Sequence, residues 1–211
     1  QRLSDQIGPD RVIWRYDPIL LNDTYTVDWH LRCFEELAKR LAPYTRLCTI
    51  SFLDFYRNTE KNMAGLETQR FMPEIQDTLA RHLAEIAHSH GLRLATCAEG
   101  IDLEQYGIEH ARCVDGRLFE KLLGCPLDLK KDKNQRQECG CAESIDIGAY
   151  NTCRNGCRYC YANYNQPSVQ TNSGKHNPLS PLLVGELGPE DKVTQRAMHS
   201  CLHTQLEFPL K

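Results

Sequence analysis

The sequence predicts an α/β fold with parallel strands, part of a TIM-like (β/α) barrel, and two observations lead there. Short apolar runs alternate with longer segments whose apolar residues recur at helical spacing. Polar or ligating residues also gather at the end of each run: Arg15 and Asp17, then Asp54 and Tyr56, then Cys97 and Glu99, and last Cys153. Strands joined through helices must run the same way, and barrels and open α/β sheets build their sites at the C-terminal ends of such strands.

The elements follow in order. Arg11 to Tyr16 is strand-like and stops at Asp17-Pro18. Leu31, Phe34, Leu37, Ala38 and Leu41 share one helical face, giving a helix from Val27 to Leu41. Arg46 to Phe52 is the second strand. Pro73 opens a helix lined by Leu79, Leu83, Ile86 and Ala87, which Gly91 closes. Leu92 to Cys97 is the third strand, and Asp115 caps a short helix that runs to Leu123 and stops at Gly124. Ile145 to Ala149 is expected as a fourth strand.

Four strands are too few to close a barrel, so residues 1–165 are expected to be its C-terminal part, with earlier β/α units outside this chain. Residues 166–211 carry Pro167, Pro178, Pro181, Pro189 and Pro209 and are expected to form an irregular tail, in which Leu182-Leu183-Val184 docks on the core.

Composition narrows the class. With 41% hydrophobic and 25% charged residues the chain has an ordinary soluble balance, and no apolar run is long enough to span a bilayer. The first residues contain no signal-peptide core. A net charge of −3 argues against a broadly basic surface made for nucleic acid. The basic run Lys130-Lys131-Asp132-Lys133-Asn134-Gln135-Arg136 leaves nucleic acid as a secondary partner class beside its plain reading as a solvated loop. Eleven cysteines, an odd count in clustered spacings, fit metal chemistry in a reducing cytoplasm better than a secreted disulfide scaffold.

The most informative segment is Asn151-Thr152-Cys153-Arg154-Asn155-Gly156-Cys157-Arg158-Tyr159-Cys160. Its C-x3-C-x2-C spacing offers three thiolates, whereas structural zinc is normally closed by four ligands and ferredoxin runs supply a full thiolate set. Gly156 permits a tight bend before Cys157, and Tyr159 fills the aromatic place before the third cysteine. This loop resembles the cluster loop of the radical S-adenosylmethionine enzymes. The resemblance implies a [4Fe–4S] cluster on Cys153, Cys157 and Cys160, whose open iron chelates S-adenosylmethionine so that electron transfer yields a 5′-deoxyadenosyl radical. Tyr159 would pack beside the cluster, and an electron donor and an unknown substrate would be the partners. The competing reading is a non-catalytic protein in which zinc or a cluster organises a binding surface.

Trp14-Arg15-Tyr16-Asp17-Pro18-Ile19, Ser51-Phe52-Leu53-Asp54-Phe55-Tyr56, Cys97-Ala98-Glu99, Cys139-Gly140-Cys141, Asp146 to Cys153 and Ser180-Pro181-Leu182-Leu183 are together similar to an uncharacterised bacterial family. Its members carry a radical-SAM-like cysteine cluster towards the C-terminus and an additional N-terminal region. Radical S-adenosylmethionine barrels carry the cluster loop after the first strand, and here it follows the last, which implies a circularly permuted barrel. The glycine-rich stretch that receives the cofactor's amino group would then lie outside this chain.

Cys139 and Cys141, with Cys97 and Cys113, make a possible second four-cysteine site, either structural zinc or an auxiliary iron–sulfur cluster. The bland alternative is loop and core thiols. Cys33 and Cys48 fall in apolar patterns and are expected in the core, while Cys125 and Cys201 receive no role. Arg15 and Glu99 are candidate cofactor- or substrate-binding groups, weighed against an Arg15–Asp17 pair that merely holds the rim.

Overall fold

The computed structural model of the protein describes residues 1–55 and 57–203. Tyr56, expected beside the second strand, and Pro209 of the tail lie outside the described residues. In chain order the main elements are α1 (Arg2–Ile7), β1 (Ile13–Ile19), α2 (Val27–Leu41), β2 (Leu47–Phe52), α3 (Arg57–Met63), α4 (Pro73–Ser89), β3 (Arg93–Thr96), β4 (Glu109–His110), α5 (Gly116–Leu123) and α6 (Gln166–Gly174). The chain divides into two compact units. The first comprises Gln1–Asp54, Glu67–Ser144 and Cys201–Lys211, and the second Phe55–Leu66 and Ile145–Ser200.

The first unit is built on one sheet in the order β1-β2-β3-β4, parallel throughout. Its register fixes which side chains share a face. Trp14, Cys48 and Leu94 stand in one row, and Arg15, Thr49, Ala95 and Glu109 in the next. Trp14 stacks on Phe34 of α2 with ring centroids 4.8 Å apart, and Tyr16 meets the same ring edge-on at 5.2 Å. The Trp14 row therefore faces the helices, and the Arg15 row faces away from them.

α2 starts where Thr26 accepts a hydrogen bond from the Trp29 amide, and it buries His30, Phe34 and Ala38 on one stripe. α4 begins at Pro73, whose missing N–H costs nothing in a first turn. It buries Leu79, Ala80, Leu83, Ala84 and Ala87, and its end is turned by Leu92 donating to the Ala87 carbonyl at 2.9 Å. α2 packs on α4 and on β1, while α4 packs on β3. Both crossover helices thus cover the same face, over a core of Phe34, Cys48, Ile50, Phe52, Leu79, Leu83 and Leu94.

His30 is a buried polar group packed beside this core. Its ring lies 2.7 Å from the Leu20 carbonyl and 2.8 Å from the Tyr16 hydroxyl. A carbonyl only accepts, so Nε2 carries the proton and Nδ1 accepts from Tyr16. Burial lowers the His30 pKa, which keeps this neutral arrangement.

The expected helix Val27–Leu41 is present with those bounds. α5 is capped by Asp115, accepting from the Arg117 amide, and stops at left-handed Gly124, as the sequence predicts. Two expectations are corrected. Residues 145–149 form no strand: Ile145 and Ile147 are exposed, and Asp146 instead accepts from the Gly148 amide at 2.7 Å, a local turn that competes with strand pairing. The fourth strand is β4, too short and too polar to show an apolar run. The expected irregular tail instead opens with α6, capped by the Asn165 side chain accepting from the Ser168 amide. The sheet is open and α/β, and among the described residues it does not close into a barrel. Among the described residues no helix is long and apolar enough to cross a membrane.

Phe34 touches both aromatic residues of β1 and is fully buried. Phe34→Ala is expected to cost about 3–5 kcal/mol, read as a lower midpoint in urea with an unchanged slope.

Candidate functional site

Parallel strands bring their C-terminal ends to one rim, and the first unit collects four thiols there. Cys97 follows β3 directly, its amide donating to the Ile50 carbonyl at 2.8 Å. Ala98 then takes a positive φ of 51° and turns the chain. Cys113 follows β4, with its Sγ 3.7 Å from that of Cys97. The third contribution is the Cys139-Gly140-Cys141 turn. It is fixed by Asp132 donating to the Cys141 carbonyl and by Ala142 donating to the Val114 carbonyl, each at 3.0 Å. The Cys113 and Val114 amides lie 3.0 and 3.4 Å from Cys141 Sγ. Ala98, Cys139 and Cys141 are buried together, with Val114 packed against them.

Charges at this rim are already partnered. Arg15 is paired with Asp17 and donates to Cys113 Sγ at 3.2 Å. Burial opposes the Arg15 charge, but hydrogen bonds to Asp17 and Cys97 hold its pKa above the ordinary value. The hydrogen bond from Cys113, helped by Arg15 against the cost of burial, brings the Cys97 thiol down to about 5. The same hydrogen bond and burial raise the Cys113 thiol. Burial raises Cys139. Glu99 is buried and accepts from the Phe52 amide at 2.9 Å. Burial, only partly offset by that bond, pushes its carboxyl up to about 7. Asp54 pairs with Arg136 at 2.5 Å, and Lys131 donates to the Gln137 carbonyl, so the basic run Lys130–Arg136 is partly engaged in fixing its own loop. Beside Arg15, a cavity of about 420 Å³ is lined by Tyr16, Asp17, Tyr25, Trp29 and His30.

Cys153, Cys157 and Cys160 belong to the second unit and sit on a loop that no strand precedes. Asn151 closes the neck of that loop. It is buried, holds a left-handed φ of 55°, and donates from its amide to the Ala162 carbonyl at 2.9 Å. Its side-chain oxygen accepts from the Tyr164 and Asn165 amides at 2.9 and 3.0 Å. Asn163 donates to the Cys153 carbonyl at 2.7 Å, and Ser173 to that of Thr152 at 3.1 Å. Within the loop Gly156 takes φ 67°, a conformation that a side chain would strain. Arg158 donates to the Asn62 and Ala64 carbonyls at 2.8 and 2.7 Å, which fixes the gap between Cys157 and Cys160. All three thiols are free; Cys153 and Cys157 are exposed, Cys160 is half-buried, and Tyr159 is half-buried beside them.

The sheet thus places Asp17, Asp54 and Glu99 at one rim, while Cys153, expected there too, is carried by the other unit. Among the described residues, no three His, Cys, Asp or Glu side chains stand as a ready set of ligands for one metal ion. Asn151 and His30 are the residues that the sequence pattern did not single out. The only trace of Asn151 was an Asn at the base of a cysteine loop, a residue type that tolerates φ > 0.

The family model for a domain of unknown function (DUF1848) matches residues 1–162. The chain belongs to that family. The match takes in both cysteine groups and ends two residues past Cys160. No curated protein and no solved structure matches the chain.

Two outcomes follow from this geometry. Asn151→Ala removes the acceptor of two backbone amides and strains a left-handed position, at about 1–3 kcal/mol for the unsatisfied groups. Limited proteolysis should then cut between residues 151 and 165 faster than in the parent chain, while the sheet unit stays intact. Glu99 has a folded pKa raised above its unfolded value. Between about pH 4.5 and about pH 7 the folded chain keeps a proton that the unfolded chain has lost, so this group's contribution to stability falls as pH rises, by up to about 1.4 kcal/mol per pH unit. Glu99→Gln should remove that slope in urea titrations across the window.

Proposed function

We propose that this chain is an iron–sulfur protein of radical S-adenosylmethionine type, with Cys153, Cys157 and Cys160 holding a [4Fe–4S] cluster and one iron left without a protein ligand. What carries the reading is a loop with three free thiols in C-x3-C-x2-C spacing, closed at its neck by Asn151. The donor set fits: three soft ligands suit iron–sulfur chemistry, and a three-thiolate set leaves a place for a small chelating molecule. When bound, such a cluster supplies an electron to the sulfonium of S-adenosylmethionine chelated at its open iron.

The chain's own residues would do the rest. Asn151 and Asn163 hold the loop ends together, so that the thiols lose little freedom on taking up iron. Arg158 keeps the Cys157–Cys160 segment in place through the Asn62 and Ala64 carbonyls. Tyr159 limits water near the sulfurs, which raises or lowers the reduction potential according to exposure. Arg15 and Glu99 stand at the rim where α/β enzymes contact substrate, and we assign them cofactor or substrate contacts there. Two crossover helices on one face of the sheet support the finer reading that this sheet is an arc of a (β/α) barrel; the strand at 145–149 on which a permuted order rested does not form. An external electron donor and a substrate of unassigned chemistry complete the scheme.

Anaerobic reconstitution with iron and sulfide should give a brown protein with about four irons per chain, and C153A/C157A/C160A should hold none of that cluster. Unchanged iron and sulfide in the triple variant would refute the assignment. Release of 5′-deoxyadenosine with dithionite supports the cofactor, and an assembled cluster that releases none defeats that part of the proposal.

A further inference from the structure

We infer a second, separate metal site in the sheet unit: Cys97, Cys113, Cys139 and Cys141 bind one structural zinc ion through four thiolates. The inference does not rest on the loop of Cys153, Cys157 and Cys160.

The distances suit a single ion. Zinc–thiolate bonds of about 2.3 Å in a tetrahedron place neighbouring sulfurs about 3.8 Å apart, and Cys97 and Cys113 already stand at 3.7 Å. A four-iron cluster seats each cysteine on its own iron and spreads the sulfurs much more widely. The second pair is Cys139 and Cys141, buried together in the Cys139-Gly140-Cys141 turn. It is tied to the first through the Cys113 amide, 3.0 Å from Cys141 Sγ. As placed, the two pairs are not one ligand set, so binding one ion requires the thiols to move towards each other.

The surroundings are those a tetrathiolate ion needs. Two backbone N–H groups, from Cys113 and Val114, point at Cys141 Sγ, and such outer hydrogen bonds orient ligands and disperse thiolate charge. Four thiolates around a divalent ion leave two negative charges, and the Arg15 guanidinium hydrogen-bonds the first pair, held in place by Asp17. Gly140 completes the turn under Arg112: a Cβ there would meet the Arg112 side chain at 3.0 Å.

The site also has a structural task. Between α5 and residue 144 no helix or strand forms, and the segment is held by the isolated bridges Leu127–Leu202 and Lys131–Ala142, by the Arg136–Asp54 ion pair and by loop hydrogen bonds. The apolar cluster under it is small, comprising Ala98, Val114 and the two cysteines. A zinc ion would lock this segment to the ends of β3 and β4 where hydrophobic burial is thin, as structural zinc does in small domains.

The test uses the full chain, purified without added metal and analysed for zinc and iron. About one zinc per chain is expected in the parent and in C153A/C157A/C160A, with at least about a tenfold loss in C113S and in C139S/C141S. Cobalt exchanged into the parent should give the absorption of a tetrahedral tetrathiolate. C113H, which keeps four ligands and guards against simple misfolding, should retain the ion with a shifted cobalt spectrum. Zinc unchanged in both serine variants, zinc lost with the loop cysteines instead, iron in place of zinc, or a Cys97–Cys113 disulfide in the protein as purified would each overturn the inference.

Discussion

Parallel pairing of β1, β2 and β3 is the constraint from which the rest of the sheet unit follows. Parallel neighbours cannot be joined by a tight turn, so each pair requires a crossover, and α2 and α4 are those crossovers. Both pack on the face that carries Trp14, Cys48 and Leu94, which buries that face and leaves the Arg15–Thr49–Ala95 row on the other. The same geometry sends every strand's C-terminal end to one rim. Arg15, Asp17, Asp54, Cys97, Glu99 and Cys113 meet there because the strands agree in direction, although up to 98 residues separate the partners.

That rim and the Cys153–Cys160 loop solve different physical problems. At the rim, thiols arise from three separate segments, and burial, backbone N–H groups and the Arg15 charge set their ionisation. The loop is local in sequence, and its order comes from backbone hydrogen bonds gathered by one asparagine. A rim assembled from distant segments is suited to holding a fold together. A closed loop with exposed thiols is suited to presenting a reactive group to a small molecule.

Much of this was legible in the sequence where one strong local signal acts alone. The α2 stripe of Leu31, Phe34, Ala38 and Leu41 gave both its ends, and Asp115 with Gly124 bracketed α5. Cys139 and Cys141 were readable as a pair from their C-x-C spacing, and Cys97 from the strand it ends; Cys113 had no such signal, because it follows β4. The strand expected at Ile145–Ala149 failed because alternation of isoleucines with polar residues says nothing of whether a sheet edge is available, and the Asp146 turn occupies the backbone instead. β4 was invisible because two residues carry no periodicity. Asn151 was unreadable because its left-handed backbone is stabilised by partners 11 to 14 residues later, which only the closed loop brings near.

The central claim is that the loop holds a four-iron cluster with one iron open to a cofactor. Mössbauer spectroscopy of the chain reconstituted with ⁵⁷Fe, with and without S-adenosylmethionine, tests it most directly. The account predicts the spectrum of an oxidised [4Fe–4S] cluster in which the cofactor shifts the signal of a single iron and leaves the others unchanged. A spectrum indifferent to S-adenosylmethionine, or one showing only isolated iron in tetrathiolate sites, would contradict it.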